Sequence, residues 1–143
     1  MKNIQNELMS ATQQKQPNTD ATKKNTLSDS SRKVLMNHLG SFRDNDLEAV
    51  MSDYTNESVL ITHDATYIGL EEIEAFFTAL VAHFPRQKSS FELDKMIVED
   101  ELVYIVWHAK TPTLDVPLGS DTFIIKDGKI YQQTFVGQMK FIN

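Results

Sequence analysis

The 143-residue chain contains no cysteine, so disulfides, thiolate nucleophiles and cysteine-ligated zinc or iron–sulfur centres are excluded at the outset. No window approaches the ~18 apolar residues of a membrane-spanning helix, and no membrane partner is expected. The opening residues, MKNIQNELMSATQQKQ, lack the uninterrupted apolar core of a secretory leader, which makes a cytoplasmic location the expectation. Nor is there a Lys/Arg cluster with interleaved aromatics. With a formal charge of −6, this argues against a nucleic-acid-binding surface. The first 27 residues carry no aromatic side chain and are rich in Gln, Asn, Thr and Lys, so they have little to bury.

What remains has the make-up of a soluble globular protein, with 41% apolar and 24% charged residues. One domain is expected, large enough to bury well over half of its unfolded surface. Residues 1–28 are assigned to a flexible polar tail and residues 29–143 to the folded domain. Alternatively, Ile4, Leu8 and Met9 form a short amphipathic turn that docks on the body or on a neighbouring subunit. The tail holds four Lys against Glu7 and Asp20, or +2, which leaves −8 on the body.

Helical periodicity begins at Ser28 and Asp29, a plausible cap, with Val34, Leu35, His38, Leu39 and Phe42 on one stripe. Asp46 is placed to cap a second, short helix carrying Leu47, Val50, Met51 and Tyr54. SVLITHDATYIG follows as strand, turn and extended stretch. In LEEIEAFFTALVAHF the apolar residues line one side and three glutamates favour the N-terminal half, where the helix dipole prefers negative charge; Pro85 ends it. Everything beyond is strand-like, interrupted at Asp100-Glu101, around Pro117-Gly119 and at Asp127-Gly128, the last a strong hairpin signal. Helices followed by an antiparallel meander predict an α+β fold with helices on one face of a curved sheet.

Counting back by twos from Asp127-Gly128, Ile125, Phe123 and Asp121 share a face. An acid among apolar neighbours calls for a partner or a use. On the preceding strand, Tyr104, Val106, His108 and Lys110 alternate with Val103, Ile105, Trp107 and Ala109. Convergence of Asp121, His108 and His38 is the sharp expectation. Each polar residue also has a plainer role available: His38 as a core histidine, His108 at the sheet rim, Asp121 in a turn. His63 and Asp64 fit a solvated turn, and His83 a helix C-terminus. Two histidines and a carboxylate would suit a metal, but no HxH or HxxxH spacing supports one, so no metal ligand is assigned.

FRDNDLEAVMSDYTNESVLIT, YIGLEEIEAFF and DTFIIKDGKIYQQTF, in this order and spacing, resemble the nuclear transport factor 2-like superfamily, in its SnoaL-like, ketosteroid-isomerase-like branch. The resemblance spans about residues 30–137. It implies a conical α+β barrel, a strongly curved antiparallel sheet wrapped around the N-terminal helices with an apolar pocket at the open end. It also implies, residue by residue, that Asp121 is the pocket aspartate and His38 stands where the isomerases carry a tyrosine oxyanion donor. Phe76 matches an aromatic wall, Val106 and His108 inward strand positions, and Phe135 the last pocket-facing strand; strand parity and the resemblance together make Phe76, Tyr104, Val106, Phe123 and Phe135 the pocket walls, with Thr62 a further ligand contact. The general-base position falls at Thr62, which cannot act as that base; His63 or Asp64 would take the role only if the shorter loop shifts the alignment.

The family includes isomerases, cyclases and dehydratases as well as non-catalytic modules, so fold does not fix function. The expectation is a pocket for a small apolar or carbonyl-bearing molecule, worked without cofactor by proton transfer between Asp121 and His108 with His38 positioning an oxygen. The alternative is a non-catalytic ligand-binding or oligomerisation module. A homodimer is expected through the outer sheet face, built on Val103, Ile105, Trp107, Ile124 and Val136 with Trp107 near its centre.

Overall fold

The structure, a computed structural model, describes residues 19–142. Helix α1 spans Thr19–Arg43 and the short α2 Leu47–Met51. Strands β1 (Val59–Thr62) and β2 (Thr66–Ile68) then precede helix α3 (Gly69–Val81). The meander follows as β3 (Ser90–Glu99), β4 (Leu102–Lys110), β5 (Leu114–Lys126) and β6 (Lys129–Gly137), with a short β7 (Lys140–Phe141). The seven strands form one curved sheet in the order β2-β1-β6-β5-β4-β3, with β7 on β5. The sheet ends at β2 and β3 without closing on itself. Every pairing is antiparallel except that of β1 with β6.

Local chemistry accounts for the element boundaries. Asp46 caps α2 as expected, accepting from the Ala49 amide at 3.1 Å. The β5–β6 loop is the two-residue hairpin the sequence announces, with Asp127 at φ 51° and Gly128 at φ 75°. Asn45, itself at φ 56°, donates its side-chain amide to the carbonyls of Val81 and Phe84 and so closes the C-terminus of α3.

Three expectations are revised. Helix α1 is already formed at Thr19, so residues 19–28 are helical; the docking turn of Ile4, Leu8 and Met9 lies outside the described residues. Ser28 does not cap a helix. Its hydroxyl accepts from the Asp100 amide while Ser31 donates to the Asp100 carbonyl at 2.7 Å, clamping the β3–β4 turn onto α1. Pro117 and Gly119 do not end a strand either. β5 runs through them with a bulge at Pro117 and Leu118, where a missing proline N–H costs no ladder bond.

The core fills the concave side of the sheet. From α1 come Leu35, Leu39 and Phe42, from α3 Ile73, Phe77 and Val81, and from the strands Val103, Ile105, Trp107, Phe123, Ile125, Ile130 and Phe135. α1 lies against β3 and β4 while α3 lies against β1 and β2, so the two helices frame a space over β5 and β6.

The register β4–β5 decides which side chains reach that space. Val103 pairs with Phe123, Ile105 with Asp121 and Trp107 with Gly119, and laterally paired residues share a face. Val103, Ile105 and Trp107 are therefore buried, and the proposed outer face loses three of its five members. Gly119 is required here for room. A Cβ would meet the Trp107 indole at 2.4 Å. Gly119→Ala is expected to push the indole off its seat and destabilise the protein by about 1–3 kcal/mol, read as a lowered urea midpoint with an altered emission of Trp107, the single tryptophan of the chain.

Candidate functional site

Between α1, α3 and the concave sheet lies a cavity walled largely by rings, among them Phe42, Phe76, Phe77, Phe91, Phe123 and Phe135. Four side chains with polar groups also line it: His38 from α1, Trp107 from β4, Asp121 from β5 and Gln133 from β6. The free space is about 50 Å³, enough for a few water molecules.

The polar groups form a continuous hydrogen-bonded chain. Asp121 accepts from Trp107 Nε1 at 2.7 Å on one carboxylate oxygen and from Gln133 Nε2 at 2.8 Å on the other. Gln133 Oε1 accepts from the Tyr54 hydroxyl. The Tyr54 oxygen faces His38 Nε2 at 3.4 Å, the loosest contact of the series. His38 Nδ1 lies 2.9 Å from Asp53 Oδ2. Asp53 is the outer end, with its side chain 18% exposed against 4% for His38.

The donors run in one direction. Gln133 has its N–H₂ on Asp121, so its carbonyl oxygen must accept; Tyr54 therefore spends its proton on Gln133 and has only lone pairs for His38. His38 satisfies both neighbours when both ring nitrogens carry protons, one donated to Asp53 and one to Tyr54. The ring is held in place by edge-on contacts to Tyr54, Phe77 and Phe123, with centroids 5.6–6.1 Å away.

Burial pushes the Asp121 carboxyl from its usual 3.8 up to about 6, against the lowering effects of the Trp107 and Gln133 bonds and of His38. The Tyr54 hydroxyl is raised well above its usual 10, first by burial and then by the negative charges of Asp121 and Asp53. Tyr54 is thus a fixed donor, whereas Asp121 changes state within the range where most proteins work.

Of the residues singled out from sequence, His38, Asp121, Phe76, Phe123 and Phe135 meet in this cavity. His108, Tyr104 and Val106 do not. They alternate with Ile105 and Trp107 and so stand on the convex face. His108 pairs there with Asp94, which shares the convex face of β3 with Glu92 and has its carboxylate 2.8 Å from Nδ1; that bond raises the histidine's pKa. Thr62 stays in the β1–β2 turn, its hydroxyl accepting from the Asp64 and Ala65 amides. His63 and Asp64 are exposed in the same turn, 3.4 Å apart, and neither reaches the cavity. No group of three or more His, Cys, Asp or Glu suited to a metal occurs among the described residues, and His38, His108 and Asp121 lie on two sides of the sheet.

Trp107, Gln133, Tyr54 and Asp53 complete the site without having been picked out from sequence. The Trp107 face was readable: Val103, Ile105, Trp107 and Ala109 are uniformly apolar, while the alternate set ends in His108 and Lys110. Gln133 was hidden by a bulge at Tyr131, which breaks the alternation counted from the hairpin turn.

Comparison with known proteins agrees with this architecture. Residues 37–133 match the model of the SnoaL-like domain family. No curated protein matches the chain. Among solved structures, a proposed ketosteroid isomerase from Kribbella flavida DSM 17836 superposes with a TM-score of 0.65 at 7% identity, over 81% of this chain and 83% of that one. An NTF2-like protein of unknown function from Mesorhizobium loti gives 0.64 at 15% identity, over 78% and 93%. A proposed SnoaL-like polyketide cyclase from Shewanella denitrificans OS-217 gives 0.62 at 17%, over 76% and 90%. At such identities the likeness is one of fold.

The raised carboxyl has a consequence for stability. The folded protein holds the Asp121 proton more tightly than the unfolded chain, so stability is lost as pH rises from 3.8 through about 6, and the deficit is complete above that. The gap corresponds to about 3 kcal/mol. Asp121→Asn removes the ionisation, and Gln133 can turn its amide over to accept from the new carboxamide. Urea unfolding of both proteins is expected to show the variant gaining on the wild type by up to about 3 kcal/mol between pH 4 and pH 8.

Proposed function

The chain belongs to the SnoaL-like domain family, and from that premise we propose that its inner cavity takes the carbonyl end of a small, mostly apolar molecule and exchanges a proton with it through Asp121, without a cofactor. The observation that carries this reading is a buried carboxylate on the wall of an aromatic cavity, poised at about 6. A base with such a pKa is half-ionised close to neutral pH, where general acid–base catalysis is most effective.

In this scheme the Asp121 carboxylate removes a proton from the carbon beside the substrate carbonyl. The C–H electron pair becomes the carbon–carbon double bond of an enolate, and the carbonyl oxygen takes the negative charge. His38 Nε2–H, which lines the cavity and is held least tightly by its protein partner, is the donor for that oxygen. Return of the proton to a different carbon completes an isomerisation; attack of the enolate carbon on a second carbonyl forms the ring bond, and the Asp121 proton then goes to the new alkoxide oxygen, completing a cyclisation. His108 has no part in this, since it stands on the convex face.

A second reading has its own support. Both Asp121 oxygens already accept hydrogen bonds and the free space is small, as suits a module that binds without turnover. Deuterium uptake separates the two. In D₂O, 2-pentanone incubated with the protein is expected to gain deuterium beside the carbonyl, followed by NMR, with a rate that rises as pH passes through about 6. Asp121→Asn is expected to lower that rate by ~10²–10⁴-fold while the ketone still perturbs Trp107 emission. Perturbed emission with no deuterium uptake in the wild type would establish the binding module instead.

Assembly as a homodimer through the convex face is part of the same reading, with its members reassigned. Ile97, Leu102, Tyr104 and Val136 are exposed there, joined across the strands by the half-buried Val106 and Ile124. Contiguous apolar surface of this kind favours a partner. Light scattering is expected to give the mass of two chains for the wild type and of one for Tyr104→Glu, which places a charge in the patch. A single-chain wild type at micromolar concentration would remove the dimer.

A further inference from the structure

The free space of about 50 Å³ beside Asp121 holds only a few heavy atoms, far less than the ~300–1,000 Å³ of typical ligand pockets. The rest of any larger ligand has to lie elsewhere. Among the described residues, two outer spaces share lining side chains with the cavity. One shares Phe76 and Leu80 with it and is mostly apolar, lined by Tyr67, Met139 and Phe141 among others. The other is a basin of about 400 Å³ that shares Phe42 and Phe91 with the cavity and is lined about equally by polar and apolar surface.

Charge distinguishes the second. The folded body is acidic, yet Arg43 and Arg86 both line this basin, with Ser89 and Ser90 beside them. Arg43 has no carboxylate within ion-pair distance among the described residues, and its guanidinium lies over the Phe91 ring, 5.6 Å from the centroid. Among the described residues Arg86 forms an ion pair with Asp44 alone, at 3.8 Å between two well-exposed side chains. Glu92 is the one acid in the lining, and its β3–β4 partner is His108. The ring beneath Arg43 is also the partition, since Phe91 stacks on Trp107 at 5.1 Å and Trp107 in turn holds Asp121.

We propose that the ligand is an oxo acid: a carbonyl end in the inner cavity beside Asp121, a short apolar chain passing between Phe42 and Phe91, and an anionic group in the basin held by Arg43 and Arg86. This rests on the cavity reading above and adds the substrate class. Two guanidiniums at a mouth in an otherwise negative molecule draw an anion to this entrance and fix which end goes in first. A neutral ketone fills the same inner space but leaves both arginines unused.

Trp107 reports occupancy, being the single tryptophan and part of both the partition and the cavity wall. Its emission is titrated with three methyl ketones, 2-pentanone, 2-heptanone and 2-nonanone, and with the acids of equal carbon number, 4-oxopentanoate, 6-oxoheptanoate and 8-oxononanoate. At least one acid is expected to bind on the order of tenfold more tightly than its ketone at low salt, with the advantage shrinking in 1 M salt. Arg43→Gln/Arg86→Gln is expected to abolish the advantage and leave ketone binding unchanged. Arg86→Gln alone, at a side chain 66% exposed and so safe for folding, is expected to remove part of it. Acids that bind no better than ketones at any length, or a preference that survives the double variant, would overturn the inference while the cavity reading stands. If neither series changes Trp107 emission, the cavity reading falls and takes this inference with it.

Discussion

Burying a carboxylate among phenyl rings is costly unless every lone pair that water had served finds a donor. Much of the interior can be understood from that constraint. Asp121 obtains its donors from Trp107 on one neighbouring strand and from Gln133 on the other, so a single side chain ties β4, β5 and β6 together on the concave face. Each donor carries its own requirement. The Trp107 indole needs a residue without a side chain beneath it, met by Gly119, and Gln133 needs a donor for its carbonyl, met by Tyr54. The need passes from group to group until it reaches Asp53 at the edge of solvent, and no buried side-chain polar atom among the described residues lacks a partner.

The irregularities of the sheet serve the same arrangement. A bulge at Pro117 and Leu118 resets β5 so that Gly119 and Asp121 both face inward, and a bulge at Tyr131 turns Gln133 inward beside Phe135. A third lies on β3 at Asp94, where the convex-face carboxylate meets His108. Bulges of this kind bend the strands that carry them, so the curvature that makes the concave space and the aim of the side chains that line it have a common origin.

These details also explain what could be foreseen. The inward face of Asp121 was legible because Asp127-Gly128 fixes the phase of β5 and the strand runs unbroken from there to Asp121. His38 was legible from its place in a stripe of Leu35, Leu39 and Phe42. The face of β4 was a choice between two alternating sets. A search for polar partners of Asp121 favours the set with His108, whereas the free energy of burial favours the set without Lys110. The inward turn of Gln133 hung on the bulge at Tyr131, and the pairing of His38 with Asp53 on how the end of α2 folds back on α1, neither of which hydrophobic periodicity encodes.

The parallel pairing of β1 with β6 has a further meaning for how the molecule comes into being. Val59 to Thr62 take their second neighbour from Gln132 to Phe135, which follow them in sequence only after β2, α3, β3, β4 and β5. During synthesis the helices, β1 and most of the meander emerge while that edge of β1 still has no strand beside it, and contacts so distant in sequence are the slow ones to form. Gln133 belongs to the same late strand. Until β6 docks, Tyr54 and Asp121 are not joined, so completion of the sheet and assembly of the polar chain are one event. A nascent chain stalled before β6 would expose an open β1 edge and a carboxylate with one donor missing.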